Sequence, residues 1–427
     1  MRNILARYLI LPAPVLRLIS AQLMMFIVNA AFLLIGNIYL RKLGYSDELI
    51  AAFVSYRFLG VLAFAFPLGL FIKGKRLKPF FLLSAIIVPL ASYTVIQAIN
   101  MHNLWLIRVG FLSVGIGFML LQVCALPFIM RTAPREMLPE AISLSFATWS
   151  FAFIISGGLI ALLSNWGEFW LGNIQFPWDE YHVFILIITF SLVSILIFTR
   201  LQEGAPRSAT AEFRSHFQAL VLDYDWGRIL KILVPTMIVA VGAGLTIPFI
   251  NLFFYSVFNI DSDQFSMLGG LTSVLVFFAA LMVPGIRRRY GYYVAIILVQ
   301  GLAIFFLIIL ALTEVYATIP GAVYVAFACF LLRQPLMNMA GPGTNELTMH
   351  YVGEKNQELI SAVNSSIWSS AWYISAKIFQ FLRGIDLPYF KIFLITAGLY
   401  AVGVGLYAMI IREYQAREKL SQANIDS

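Results

Sequence analysis

The chain has 427 residues, of which 61% are hydrophobic and only 12% charged, too little polar surface to cover a water-soluble globule of this size. The formal charge of +8 is explained by Lys and Arg gathered between apolar stretches, so no nucleic-acid partner is needed to account for it, and the chain belongs in a lipid bilayer.

Spanning the hydrocarbon takes about 20 apolar residues per helix, and twelve stretches qualify: 15–40, 47–72, 79–100, 104–130, 139–164, 181–200, 231–257, 266–286, 292–313, 316–343, 358–382 and 390–411. They are too long and continuous for barrel strands, and backbone groups cannot stay unpaired in lipid, so all are expected to be α-helices. The expected class is therefore an all-α integral membrane protein with twelve transmembrane helices.

Ahead of the first span, Tyr8 to Leu16 is apolar and follows Arg2 and Arg7. A cleaved signal peptide is not expected, because Pro12 and Pro14 interrupt the run, Arg17 ends it, and no small-residue cleavage site follows. Basic residues then recur on every second connection, with Lys73, Lys75, Arg76 and Lys78 after the second span, Arg131 and Arg135 after the fourth, Arg287, Arg288 and Arg289 after the eighth, and Arg412, Arg417 and Lys419 after the last. The alternate connections hold only Arg41, Lys42, Arg108, Arg383 and Lys391. By the positive-inside rule both termini are expected in the cytoplasm, and the host is expected to be a bacterial-type inner membrane. Between the fifth and sixth spans, Trp166, Trp170 and Trp178 suit an interfacial loop. Leu201 to Arg228 is the long polar connection, with helical spacing around Phe213 to Leu222 that suits a membrane-surface segment. The expected division is a six-helix bundle over 1–200, a cytoplasmic linker over 201–228, and a second bundle with its tail over 229–427. Cys124 and Cys329 lie within spans and read as packing residues, with no disulfide, metal or cofactor expected.

The chain also repeats itself. Asn37-Ile-Tyr-Leu matches Asn251-Leu-Phe-Phe, and Glu136-x-x-x-Glu140-Ala-Ile-Ser143 with Trp149 following matches Glu354-x-x-x-Glu358-Leu-Ile-Ser361 with Trp368 following. Both copies run in the same direction, the signature of two similar membrane halves in tandem.

Twelve helices, a parallel six-plus-six repeat and a central polar connection resemble the major facilitator superfamily over nearly the whole chain. That family carries a Gly-x-x-x-Asp-Arg-x-Gly-Arg-type loop after helix two. Here the region reads Gly69-Leu-Phe-Ile-Lys73-Gly74-Lys75-Arg76, with Lys73 where the family has Asp, while Pro284-Gly-Ile-Arg-Arg-Arg289-Tyr-Gly291 keeps the Arg-x-Gly core after helix eight. Of the exporter signature Gly-Pro-x-x-Gly-Gly on helix five only Ser156-Gly157-Gly158 remains, which counts against a conventional drug antiporter. The resemblance implies that helices one, four, seven and ten line a central cavity and that the two halves rock around it.

A charge at the centre of a span costs about 2.5–3.5 kcal/mol on insertion scales and is a functional candidate by default. Those found are basic: Arg57, Arg333 and Lys377. The acidic residues fall in loops, tails and helix ends, so an anionic group on a substrate is the expected counter-charge. Arg333 leads the substrate-binding candidates and has no charged counterpart near position 119 of the first half. Arg57, Asn37, Asn251, Gln122, Asn338, Asn364 and Trp368 complete the set, with Trp149 and Trp372 as further stacking rings and interhelical packing as the plain alternative. Asn37 and Asn251, at equivalent positions of the repeat, are expected on opposite walls of one cavity. Lys377 reads as snorkelling. Glu136, Glu140, Glu354 and Glu358 stand at inner helix starts, where acidic residues complement the helix dipole; with Arg289 they are also the gating candidates. Glu346 and His350 are one helical turn apart and could relay a proton.

The expected function is a secondary transporter that moves a small anionic or amphipathic organic solute by alternating access, as a monomer and without a catalytic role. Export of amphipathic compounds or lipids is the alternative. A membrane-embedded enzyme would need clustered His, Asp, Glu or Cys, and His102, His182, His216 and His350 are scattered. No coupling ion is legible.

Overall fold

The computed structural model describes residues 11–72, 75–134, 137–166, 168–171, 174–203, 226–352 and 357–425, and the side chains of 357–365 lie outside that description. Among the described residues the twelve apolar stretches form long helices. These are α1 Ala13–Lys42, α2 Asp47–Phe71, α3 Lys78–Asn100, α4 Leu104–Thr132, α5 Leu138–Asn165, α6 Glu180–Thr199 and α7 Trp226–Phe258. They continue with α8 Ser262–Tyr292, α9 Val299–Val315, α10 Ala322–Val352, α11 Gln357–Gly384 and α12 Tyr389–Ile425. Among the described residues, all but α11 include a segment long and apolar enough to cross a membrane; the sequence of α11 carries Ser366, Ser369, Ser370 and Lys377. Large apolar side chains are exposed, among them Phe146 at 74%, Tyr324 at 72% and Leu162 at 70%. In water so much exposed apolar surface would drive association; a bilayer accommodates it.

Local chemistry sets where the helices begin. Ser46 accepts from Leu49 N at 3.3 Å at the start of α2, Asn103 from Leu106 N at 3.1 Å at α4, and Asp179 from His182 N at 2.9 Å at α6, each satisfying an otherwise orphaned N–H. The expected interfacial loop before α6 is instead partly ordered. Strand β1 Glu168–Leu171 pairs antiparallel with β2 Ile174–Pro177, Leu171 opposite Ile174. The intervening Gly172-Asn173 is a dipeptide that favours tight hairpins, a signal the helix-dominated reading passed over.

Two compact units emerge. One comprises Met1–Thr210 with Phe249–Ser273, the other Ala211–Pro248 with Val274–Ser427.

In the first unit α2 and α3 pack on α4, and α1 packs on α5 and α6. The α2–α4 crossing is close enough to exclude side chains. A Cβ at Gly115 would lie 2.0 Å from the Arg57 carbonyl oxygen, and one at Gly60 would lie 2.7 Å from that of Leu112. Small residues serve this purpose in membranes, where packing must supply helix association. The segment 249–273 joins this unit by the same device, since a Cβ at Gly157 would lie 2.5 Å from the Ser266 carbonyl oxygen. Its grouping follows from the break in α7, a tight turn over Ile247–Phe249 containing Pro248, which cannot donate a backbone hydrogen bond.

In the second unit α12 packs on α9 and on the Trp226–Thr246 part of α7, while α10 packs on α9. Ala279, Val283, Val299 and Met339 form a buried apolar cluster there, extended by Ile286 and Leu336. Hydroxyls tie the helices together. Thr236 Oγ1 and Tyr407 Oη are 2.8 Å apart, and Ser375 donates to the Val241 carbonyl at 2.7 Å.

Candidate functional site

Arg57 projects from α2 within the first unit. Its backbone is fixed against Gly115, and the half-buried side chain donates through Nη2 to Asn29 Oδ1 on α1. The guanidinium carbon stands 5.5 Å from the ring centroid of Phe118 on α4. No carboxylate pairs with it among the described residues, and none of its nitrogens is a sealed atom lacking a partner. From Phe118 a row of rings runs on through Phe26 at 6.3 Å to Trp149 at 5.6 Å and Phe153 at 5.6 Å. Phe118 and Phe26 are buried, whereas Trp149 is 39% exposed. Asn29 is 2% exposed, and its Nδ2 has no partner.

Arg333, on α10 in the second unit, is a different kind of cation. It is 1% exposed. Nη1 donates to Gln334 Oε1 at 2.8 Å, Nη2 reaches the Tyr400 hydroxyl at 3.5 Å, and Nε is sealed with no partner. The expected access from a cavity is absent at this residue, because Tyr400 of α12, itself buried, lies against it with its ring 6.0 Å from the guanidinium carbon.

Asn37 and Asn251 come together in the first unit, in contact and not across open space. Asn37 Nδ2 donates to Asn251 Oδ1 at 3.0 Å, and Asn251 Nδ2 donates to the carbonyls of Leu33 at 3.2 Å and Leu34 at 3.1 Å. Those carbonyls belong to a widened, π-type turn of α1 over Phe32–Gly36, where the regular helical ladder is interrupted. Asn251 therefore caps backbone that the turn frees. Its own Oδ1 also accepts from Leu252 N at 2.9 Å. We expect Asn251→Ala to destabilise the purified protein by about 3 kcal/mol and Asn37→Ala by about 1 kcal/mol, since buried groups left unsatisfied cost most. A double-mutant cycle read by denaturation should give a coupling of about 1 kcal/mol; additive effects would show that the pair does not act as a unit. Near it, Lys42 bridges Glu180 and Asp261, the latter at 2.5 Å.

The remaining candidates are dispersed. Gln122 on α4 is exposed. Asn338 on α10 is exposed and donates to the Gln334 carbonyl one turn back at 2.8 Å. Trp368 is 37% exposed. The Asn364 and Glu358 side chains lie outside the described residues, as do Glu136 and Glu354 altogether. Glu140 is half-buried at the start of α5. Arg289 is exposed beside the Tyr290 ring at 5.4 Å. Lys377 is exposed and bonded to Gln380 Oε1 at 3.1 Å. Glu346 is held by Arg287 at 2.6 Å, with His350 at 3.7 Å, so the carboxylate of this pair is engaged by an arginine.

Sequence reasoning missed Asn29, Phe118 and Tyr400. A signal for Asn29 was available, since Gln22, Asn29 and Asn37 recur at heptad-like spacing on an otherwise apolar helix, which places them near one stripe. Nothing comparable marked Phe118 among the 37 phenylalanines.

The family model of the Major Facilitator Superfamily matches residues 18–376. Solved structures share the fold at low identity. A D-xylose-proton symporter aligns with TM-score 0.72 and 12% identity over 92% of this chain and 97% of its own. The nucleoside transporter NupG aligns with TM-score 0.70 and 13% identity over 94% and 99%. A bacterial homologue of the human lysosomal transporter Spinster, inward-facing and occupied, aligns with TM-score 0.68 and 13% identity over 93% and 96%. No curated protein matches by sequence.

Proposed function

The chain belongs to the Major Facilitator Superfamily and is a secondary transporter of that family, and on this premise we propose that its solute is a small organic anion with an apolar part. The observation that carries the reading is the pair of span-embedded arginines, Arg57 and Arg333, neither of which has a carboxylate partner among the described residues. A cation in a bilayer is retained when something uses it, and an anionic cargo supplies the missing charge. A pentose or nucleoside, the cargo of two structural neighbours, presents several hydroxyls. The described surroundings of Arg57 offer one amide and a row of rings, which favours a different cargo.

Reconstituted into proteoliposomes, the protein is expected to drive counterflow of organic anions and not of organic cations. Rapid cation exchange that Arg333→Ala leaves unchanged would overturn the reading. Export of amphipathic compounds is the second reading, supported by the exposed ring of Trp149; lipid-like anions outcompeting hydrophilic ones would favour it. The basic connections support cytoplasmic termini in an inner-membrane setting, with functional bundles over 1–200 and 229–427 joined by 201–228.

A further inference from the structure

Arg57 and Arg333 share a charge but not an accessibility, and that difference assigns their roles. The Arg333 Nε is sealed, so no ligand reaches it without prior opening of the second unit. Arg57 is half-buried, spends one donor on Asn29, and leaves its other nitrogens unsealed. We infer that Arg57, held by Asn29 and beside Phe118, from which Phe26 and Trp149 continue a row of rings, is a binding site for an amphipathic monocarboxylate. The carboxylate would pair with the guanidinium and an aromatic or bulky apolar body would lie along the ring row. The inference rests on the anion reading above and narrows it to a class and a place.

Three features support the class. One guanidinium without a second cation among its described contacts balances one negative charge. The amide oxygen of Asn29 orients the guanidinium without neutralising it, as an aspartate there would. The rings lead from buried Phe118 and Phe26 to Trp149 at 39% exposure, so the row that begins beside the cation ends on an accessible ring. Asn29 is thus a positioning residue, and its change to Asp conserves volume while supplying an internal counter-ion.

The test uses the full-length protein in lipid nanodiscs, with binding read from ligand-induced shifts in the unfolding midpoint and phenylacetate, acetate and benzyl alcohol as probes. Phenylacetate is expected to bind at least about tenfold more tightly than either of the others, since each lacks one half of the recognised chemistry. Asn29→Asp and Arg57→Gln are each expected to weaken phenylacetate by about tenfold or more. Trp149→Leu is expected to weaken phenylacetate about fivefold while leaving acetate unchanged. Asn29→Asp should also raise the ligand-free midpoint, a gain that a purely structural Arg57 would show with no loss of phenylacetate binding. Equal phenylacetate affinity in the wild type and Asn29→Asp overturns the site, and so does acetate binding as tightly as phenylacetate. Should Arg57→Gln fail to fold, Asn29→Asp carries the test. If proteoliposomes exchange hydrophilic anions independently of Arg57, this site falls and the anion reading stands; if no anion is exchanged at all, both fall.

Discussion

Arg333→Met is expected to make the protein more stable and less active. The side chain is 1% exposed with one nitrogen unpartnered, its nearest inter-helix hydrogen bond is the 3.5 Å reach to Tyr400, and no carboxylate among the described residues offsets its charge. Replacing buried ionic groups by apolar side chains of similar volume is often stabilising, by about 1–4 kcal/mol, and methionine follows the arginine stem closely. If the charge serves an anionic cargo by attraction through the bundle, organic-anion counterflow should fall by about tenfold or more while the melting temperature in detergent rises. A variant that melts lower would show that Arg333 is held by interactions stronger than those to Gln334 and Tyr400. A variant that is more stable and transports anions undiminished would remove Arg333 from the mechanism and leave Arg57 as the working cation.

Gly115→Ala is expected to be among the most damaging single-methyl additions in the first unit. Its Cβ would lie 2.0 Å from the Arg57 carbonyl oxygen, and the obstacle is backbone in the middle of α2, which cannot rotate aside as a side chain can. Overpacking of this kind costs about 1–3 kcal/mol and occasionally more, and relief requires α2 to move off α4. Since the displaced carbonyl belongs to Arg57, the guanidinium moves with it. The expected result is a loss of about 3 kcal/mol in stability together with weakened anion exchange. Gly158→Ala is the control. No atom lies within 4 Å of a Cβ there, and the helix propensity of alanine should make it neutral or stabilising by up to about 1 kcal/mol. Equal melting temperatures for the two variants would show that the α2–α4 crossing is looser than its geometry implies.

Much of the fold was legible because a bilayer imposes one dominant rule on a chain. Backbone in hydrocarbon must satisfy itself, so apolar runs of sufficient length become helices whatever their detailed order. This placed all twelve helices and identified Arg57 and Arg333 as unusual. The same rule gave no reason to expect the pairing of strand 168–171 with strand 174–177.

The site was only partly legible, and the two repeat-related asparagines show why. Their equivalence suggested opposite cavity walls, but the widened turn at Phe32–Gly36 releases carbonyls that Asn251 captures, and Asn37 completes the pair. That turn carries no polar residue or proline to announce it.

By itself, the sequence determined the membrane class, the helix count and the presence of arginines inside apolar spans, since each follows from composition and one-dimensional periodicity. Only the tertiary structure decided which arginine is reachable. Accessibility depends on what neighbouring helices place around the guanidinium: at Arg333 the Tyr400 ring of α12 lies against it, and at Arg57, where Gly115 lets α4 approach closely, its contacts are the Asn29 amide and the Phe118 ring.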